Sequence, residues 1–160
     1  MDILDETLLS LWKAFEKFQL KYIIVGGFAT NLHGFNRITA DCDIFIKDTP
    51  ENRLALKNSL ESVESLDFSF IDTTEFAPGW SSVTLSSGLA LDIMTYMAGI
   101  PAEKFDECYN VASEATIYDC TIHFLHINHL IEAKLASNRS KDKIDVEELI
   151  KIRDARNNKD

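Results

Sequence analysis

Cysteine, proline and glycine are all scarce in this chain of 160 residues, with three, three and six of each. Cys42, Cys108 and Cys120 are odd in number, far apart and without a C-x-x-C pair. That excludes a disulfide framework and a cysteine zinc site, and leaves them as reduced core residues. So little Gly and Pro excludes collagen-like or linker-like material. No run reaches the ~18 uninterrupted apolar residues of a membrane-spanning helix. The opening MDILDETLLSLW has acids where a secretory signal carries Lys or Arg. The expectation is a cytoplasmic protein with no membrane association. Basic residues are also in deficit: 16 Lys and Arg against 26 Asp and Glu give a net charge of −10.

The hydrophobic content, 46%, is ordinary for a folded domain, and a chain of this length buries roughly 70% of its unfolded surface. Intrinsic disorder is therefore excluded, and one domain over residues 1–160 is expected. The charge is uneven. Residues 1–129 carry 8 basic and 19 acidic side chains, whereas residues 130–160 carry 8 and 7. A long nucleic acid needs several cations on one face. Only the segment with Lys134, Arg139, Lys141, Lys143, Arg153 and Arg156 offers them, and it also reads as a solvated helix face.

Leu4, Leu8, Leu11, Trp12, Phe15 and Phe18 recur at helical spacing and predict an amphipathic first helix with its aromatics in the core. YIIV, residues 22–25, reads as a buried strand ended by Gly26-Gly27. FATNLH then forms a short helix starting near Phe28 and closed by Gly34, and ADCDIFI is the second strand. Thr49 as N-cap and Pro50 at the first helical position open a third helix with Leu56, Leu60 and Val63 on one face. FSFI, SVTL and LALDIM read as strands. A helix near Pro101–Tyr109, a hairpin in ATIYDCTIHFL and helices from about Asn128 and Asp142 follow, so residues 127–160 form a C-terminal helical segment. The order predicts an α/β or α+β fold, with one mixed sheet flanked by helices packed on one face.

Three aspartates carry the chemistry. In a strand Asp41 and Asp43 share a face, about 7 Å apart at Cα, while Cys42 and Ile44 turn to the core. A bare D-x-D also suits a solvated strand edge. Asp92, however, interrupts the apolar LALDIM, where an unpaired carboxylate would be costly. A private hydrogen bond to a turn is one answer for it. A site shared with the other two is another: three oxygen-donor side chains suit Mg²⁺, and two such ions roughly 4 Å apart serve an in-line displacement. Gly26-Gly27 before a helix is a candidate phosphate cradle, since glycine lets the backbone close on an anion and the helix start offers free N–H groups.

The string IIVGG, thirteen residues, then DCDI resembles the signature of the polymerase-beta-like nucleotidyltransferase superfamily. Arg37 and Thr39 before the acids, Asp92 on a later strand, and LIEAKLASNRSKDKIDVEEL resemble the branch that includes abortive-infection nucleotidyltransferase toxins. The likeness covers roughly residues 20–153. It implies a nucleotidyltransferase fold in which Gly26 and Gly27 hold the β- and γ-phosphates of a nucleoside triphosphate. Asp41, Asp43 and Asp92 would ligate two Mg²⁺ ions, with Asp92 also helping to deprotonate the acceptor. Lys134, Arg37, Thr39 and Arg139 would serve the nucleotide. Gly27 stands where many relatives have Ser, so a hydroxyl is missing there.

The resemblance further implies transfer of a nucleoside monophosphate to a hydroxyl on a small molecule, a protein or, through the basic tail, tRNA. The rival is a non-catalytic interaction module of a toxin–antitoxin pair. A D-x-D glycosyltransferase leaves Gly26-Gly27 unexplained. His123, His126 and His129 form H-x-x-H-x-x-H, but a spacing of three alternates faces on a strand, so structural roles are expected. His33 is expected to pack or cap. TLSSGL lacks the G-x-S-x-G elbow of a serine hydrolase.

Overall fold

The computed structural model describes residues 5–159, so Leu4 lies outside the described residues. In chain order the elements are α1 (Glu6–Lys17), β1 (Tyr22–Val25), α2 (Gly26–His33), β2 (Asp41–Ile46), α3 (Pro50–Glu64), β3 (Ser82–Thr84), β4 (Ala90–Met94), α4 (Phe105–Asn110), β5 (Ser113–Ile117), β6 (Cys120–Phe124), α5 (Ile127–Ser137) and α6 (Ser140–Asn157). The strands form one mixed sheet in the order β3-β4-β2-β1-β6-β5. β1 and β6 are parallel, as are β2 and β4, and the other neighbours are antiparallel. This is the α/β class that the sequence predicts. Among the described residues no helix is long and apolar enough to cross a membrane.

Helices cover both faces of the sheet, not one. The reason is β1, which is apolar and buried at all four positions and so needs cover on each side. On one face Trp12 of α1 stacks on Tyr22 at 5.8 Å between ring centroids, with Phe15 at 4.9 Å. α3 lies beside α1, its Ser59 hydroxyl 3.3 Å from the Ala14 carbonyl. On the other face Phe105 of α4 meets Phe45 edge-on at 5.0 Å, and α5 passes over Val25 and Met94 across a cavity.

Local signals explain most boundaries. Asp5 caps α1 by accepting from the Thr7 amide at 2.9 Å. Thr49 accepts from the Asn52 amide at 3.2 Å, with Pro50 opening α3. FSFI is not a strand: Ser69–Asp72 is a turn of 3₁₀-helix. Asp67 accepts from the Ser69 amide at 2.9 Å, tightening the chain into a turn. The Arg53 guanidinium takes the Ile71 and Thr74 carbonyls at 2.6 and 2.8 Å, oxygens that a strand would offer to a neighbour.

Two tertiary contacts fix the region around the cavity. Gly99 has φ +76°, and a Cβ there would come within 2.9 Å of the Ala136 Cβ and 3.4 Å of the Glu132 carbonyl oxygen. Its turn, bridged between Met97 and Ile100, is thus seated directly on α5. His33 ends α2, where its Nε2 donates to the Leu125 carbonyl at 2.8 Å. Arg156 of α6 donates to the His33 carbonyl at 2.8 Å and reaches its Nδ1 at 3.4 Å. Burial, and then the Arg156 charge, push the His33 pKa below its ordinary value, with the Leu125 bond opposing. The ring is neutral.

Gly99→Ala should lower the unfolding free energy by about 1–2 kcal/mol or more, from the left-handed backbone and the overlap together; urea denaturation measures it. Because folding lowers the His33 pKa, the unfolded chain binds a proton first. Stability from this group is complete above the unfolded value of about 6.5 and falls as pH drops below it. His33→Gln should flatten that part of the profile in urea melts between pH 7 and 5.

Candidate active site

The Gly26-Gly27 pair forms the first turn of α2 itself, two residues earlier than the sequence predicts, because Gly26 takes φ +64° directly after β1. No side chain caps this helix. The bareness of both glycines has a use here. A Cβ on Gly26 would fall 2.1 Å from Asp43 Oδ2, and one on Gly27 would fall 2.8 Å from Arg37 Nη2 and 3.0 Å from Thr39 Oγ1. An acidic and a basic side chain therefore press directly on the glycine turn.

Register places the acids. Asp43 of β2 lies opposite Val25 of β1 and beside Asp92 of β4, on the face that α5 overlooks. Asp41 shares that face two residues earlier and is exposed, while Cys42 and Ile44 are buried on the opposite face. Asp43 and Asp92 are half-buried register partners on this face. Burial first, then the charge and hydrogen bond of Asp92 and the charge of Asp41, push the Asp43 carboxyl up to about 7, with Arg139 opposing.

A basic wall stands across from the acids. Lys134 of α5 is buried and donates to Asp145 Oδ2 at 2.8 Å and to Asp142 Oδ1 at 3.4 Å. Arg139 donates to Asp142 Oδ2 at 2.8 Å, and the Ser137 hydroxyl donates to the same oxygen at 2.5 Å. Arg37 Nε lies 3.0 Å from Asp145 Oδ1, an ion pair by distance. The nitrogen is not aligned to donate a hydrogen bond, so the contact is one of charge. The loop carrying Arg37 is braced by Asn31, which donates to the Arg37 carbonyl at 2.9 Å and accepts from its amide at 3.1 Å. Thr39 donates to the Asp41 carbonyl at 3.2 Å.

All nine residues singled out from the sequence line one polar cavity of about 250 Å³: Gly26, Gly27, Arg37, Thr39, Asp41, Asp43, Asp92, Lys134 and Arg139. Lys141 and the exposed Ile38 join them. A second, largely apolar lobe of about 330 Å³ opens on the other side of Asp43 and Asp92, walled by Val25, Met94, Met97, Leu130 and Ala133. Sequence reasoning passed over Asp142, Asp145, Asn31 and this lobe. A signal for the two acids was present: Asp142 and Asp145 fall on the same face of α6 as Val146 and Leu149, and all four are buried. The lobe has no local signal, since its walls come from distant segments.

The donor set can be weighed for a metal. As placed, no three His, Cys, Asp or Glu side chains among the described residues form a metal cage. Asp43 and Asp92 do press two oxygen-donor carboxylates together at a cost that a cation relieves, with Asp41 on the same face. That chemistry fits Mg²⁺. The three histidines serve separate contacts: His123 is 3.4 Å from Glu114, His129 is 3.7 Å from Glu107 and edge-on to His126 at 6.3 Å between ring centroids, and His126 caps α5 by accepting from the Asn128 amide at 3.1 Å.

No curated protein matches the chain. Among solved structures, an antigenic nucleotidyltransferase-like protein from Paracoccidioides brasiliensis matches 91% of this chain and 72% of its own, with a TM-score of 0.53 and 17% identity. At that identity the likeness shows the fold alone. The family model described as a nucleotidyltransferase of unknown function (DUF6036) matches residues 2–155. A two-glycine turn, paired aspartates on adjacent strands and a facing basic wall thus sit on a nucleotidyltransferase-like fold, and the chain belongs to this nucleotidyltransferase family.

Proposed function

We propose that this domain transfers a nucleoside monophosphate from a nucleoside triphosphate to a hydroxyl acceptor, with Mg²⁺ as the required ion. The observation that supports this reading is the convergence of nine residues, from segments 26–27, 37–43, 92 and 134–139, on one cavity with acids on one wall and cations on the other.

In this reading the charged cavity takes the triphosphate. The unpaired amides at the start of α2 and the side chains of Arg37, Lys134 and Arg139 bind and orient the phosphates. Asp41, Asp43 and Asp92 would hold Mg²⁺, which supplies charge neutralisation at the phosphates when bound. Asp92 accepts the proton of the acceptor hydroxyl, whose oxygen attacks the α-phosphorus. A new O–P bond forms as the bond to pyrophosphate breaks.

The charge count supports a role for the ion. Arg37, Lys134, Arg139 and Lys141 supply four positive charges. Asp41, Asp43 and Asp92, with Asp142 and Asp145 behind the wall, hold up to five negative ones. The region by itself does not attract a polyanion. Among acceptors, a cationic small molecule or a protein suits the acidic bulk of the chain, and tRNA requires the basic residues of α6 to act together.

Asp41→Ala and Asp43→Ala should each lower transfer of labelled nucleotide by on the order of 10²-fold or more, with the far-ultraviolet dichroism unchanged. Activity that persists in both removes the mechanism. Calorimetry should find ATP or CTP binding with Mg²⁺ and none with EDTA. Binding of neither at millimolar ligand favours a non-catalytic interaction module. Asp43→Asn relieves the carboxylate crowding, so without divalent ions it should melt roughly 2–4 °C above the natural protein. Mg²⁺ should raise the melting point of the natural protein and leave that of the variant nearly unmoved.

A further inference from the structure

The lobe beyond Asp43 and Asp92 has a different chemistry from the cavity that would hold the phosphates. Its walls are Met94, Met97, Leu130 and Ala133, and its volume of about 330 Å³ lies within the roughly 300–1,000 Å³ of small-molecule sites. Phosphate set against those apolar walls would lose hydration that only Lys134 and Arg139, which also line the polar cavity, could replace, so the triphosphate and the lobe's occupant are sorted by polarity. The lobe and the polar cavity share Gly26, Asp43, Asp92, Lys134 and Arg139. Any molecule spanning both therefore passes its charged part over the aspartates and leaves an apolar part in the lobe. The wall is held in place, because Gly99 seats the turn carrying Met97 on α5.

Trp80 is the second observation. The chain has two tryptophans. Trp12 is wholly buried, but Trp80 is 89% exposed, directly after Pro78 and Gly79, which line the lobe. A large aromatic left to water one residue beyond the lining of an apolar cavity is a surface suited to a flat ring.

We propose that this lobe seats the nucleobase of the triphosphate, with Trp80 at its rim as a stacking surface, and that it reads the flat face of the base and not its edge. The inference rests on the nucleotide reading above. The walls carry no side-chain amide to pair with a base edge; their one hydroxyl, Ser137, is already spent on Asp142, and their charged groups, Asp43, Asp92, Lys134 and Arg139, are those shared with the polar cavity. Apolar and stacking contact is shared by all four bases, so discrimination among them is weak.

Tryptophan emission tests this, with Trp12 as a constant background. Magnesium complexes of ATP, GTP, CTP and UTP and of inorganic tripolyphosphate are titrated into the natural protein, Trp80→Phe and Trp80→Ala, with calorimetry in parallel. All four nucleotides should quench the natural protein and bind within about tenfold of one another. Tripolyphosphate should bind without quenching, and Trp80→Phe should lose the quench. Trp80→Ala should weaken the nucleotides by about 5- to 100-fold and leave tripolyphosphate unchanged. If Trp80→Ala leaves nucleotide affinity unaltered, or if one base is preferred far beyond tenfold, the inference fails while the nucleotide reading stands, and the lobe falls to the acceptor. If neither tripolyphosphate nor any nucleotide binds, the nucleotide reading fails and takes the inference with it.

Discussion

The structure turns on two carboxylates that the sheet forces together. Parallel pairing of β2 with β4 sets Asp43 beside Asp92, and antiparallel pairing of β1 with β2 sets Asp43 against the glycine turn. Like charges this close in a partly dry setting oppose ionisation, and the Asp43 carboxyl is pushed up to about 7. Sheet hydrogen bonds and the apolar residues on either side of each aspartate hold the arrangement against that repulsion. Cys42, Ile44 and Phe45 surround Asp43, and Leu91, Ile93 and Met94 surround Asp92, all buried. The fold thus spends core stability on an electrostatically unfavourable pair, as expected where function and not packing sets the residue.

The opposite wall solves a related problem with opposite charge. Lys134 is buried, and a buried ammonium is tolerated only when paired and hydrogen-bonded. Asp142 and Asp145 from α6 meet it, and each also engages an arginine, Arg139 or Arg37. α5 and α6 are thereby joined through charge where they border the cavity. The same network ties the Arg37 loop to α6, so that loop, α5 and α6 share one set of counter-ions. The basic side chains are thereby held in place by ion pairs within the fold itself.

The amount legible in the sequence varied with the range of the interaction. α1 was readable from helical periodicity, and α3 from the same periodicity and the Thr49 cap, which acts within one turn. The hairpin of β5 and β6 was readable for the same reason. FSFI misled because its apolar run is answered by Arg53, far away in sequence, whose guanidinium occupies the carbonyls. The start of α2 was misplaced by two residues, because glycine's permissiveness hides whether it breaks a helix or opens one.

The nine candidate residues were visible through residue type, spacing and resemblance, all properties of the chain in one dimension. Alternation on β2 settled that Asp41 and Asp43 share a face, since a strand's period of two is a local fact. Which strand supplies the neighbour of Asp43, what pairs with Lys134, and what lies beyond the acids are matters of register and helix docking. Those depend on contacts between residues tens of positions apart, whose free energies are summed only when the chain closes on itself. The sequence by itself determined the chemistry available to this protein; the tertiary structure decided that the charged residues share a cavity and that an apolar lobe with an exposed tryptophan near it opens beside them.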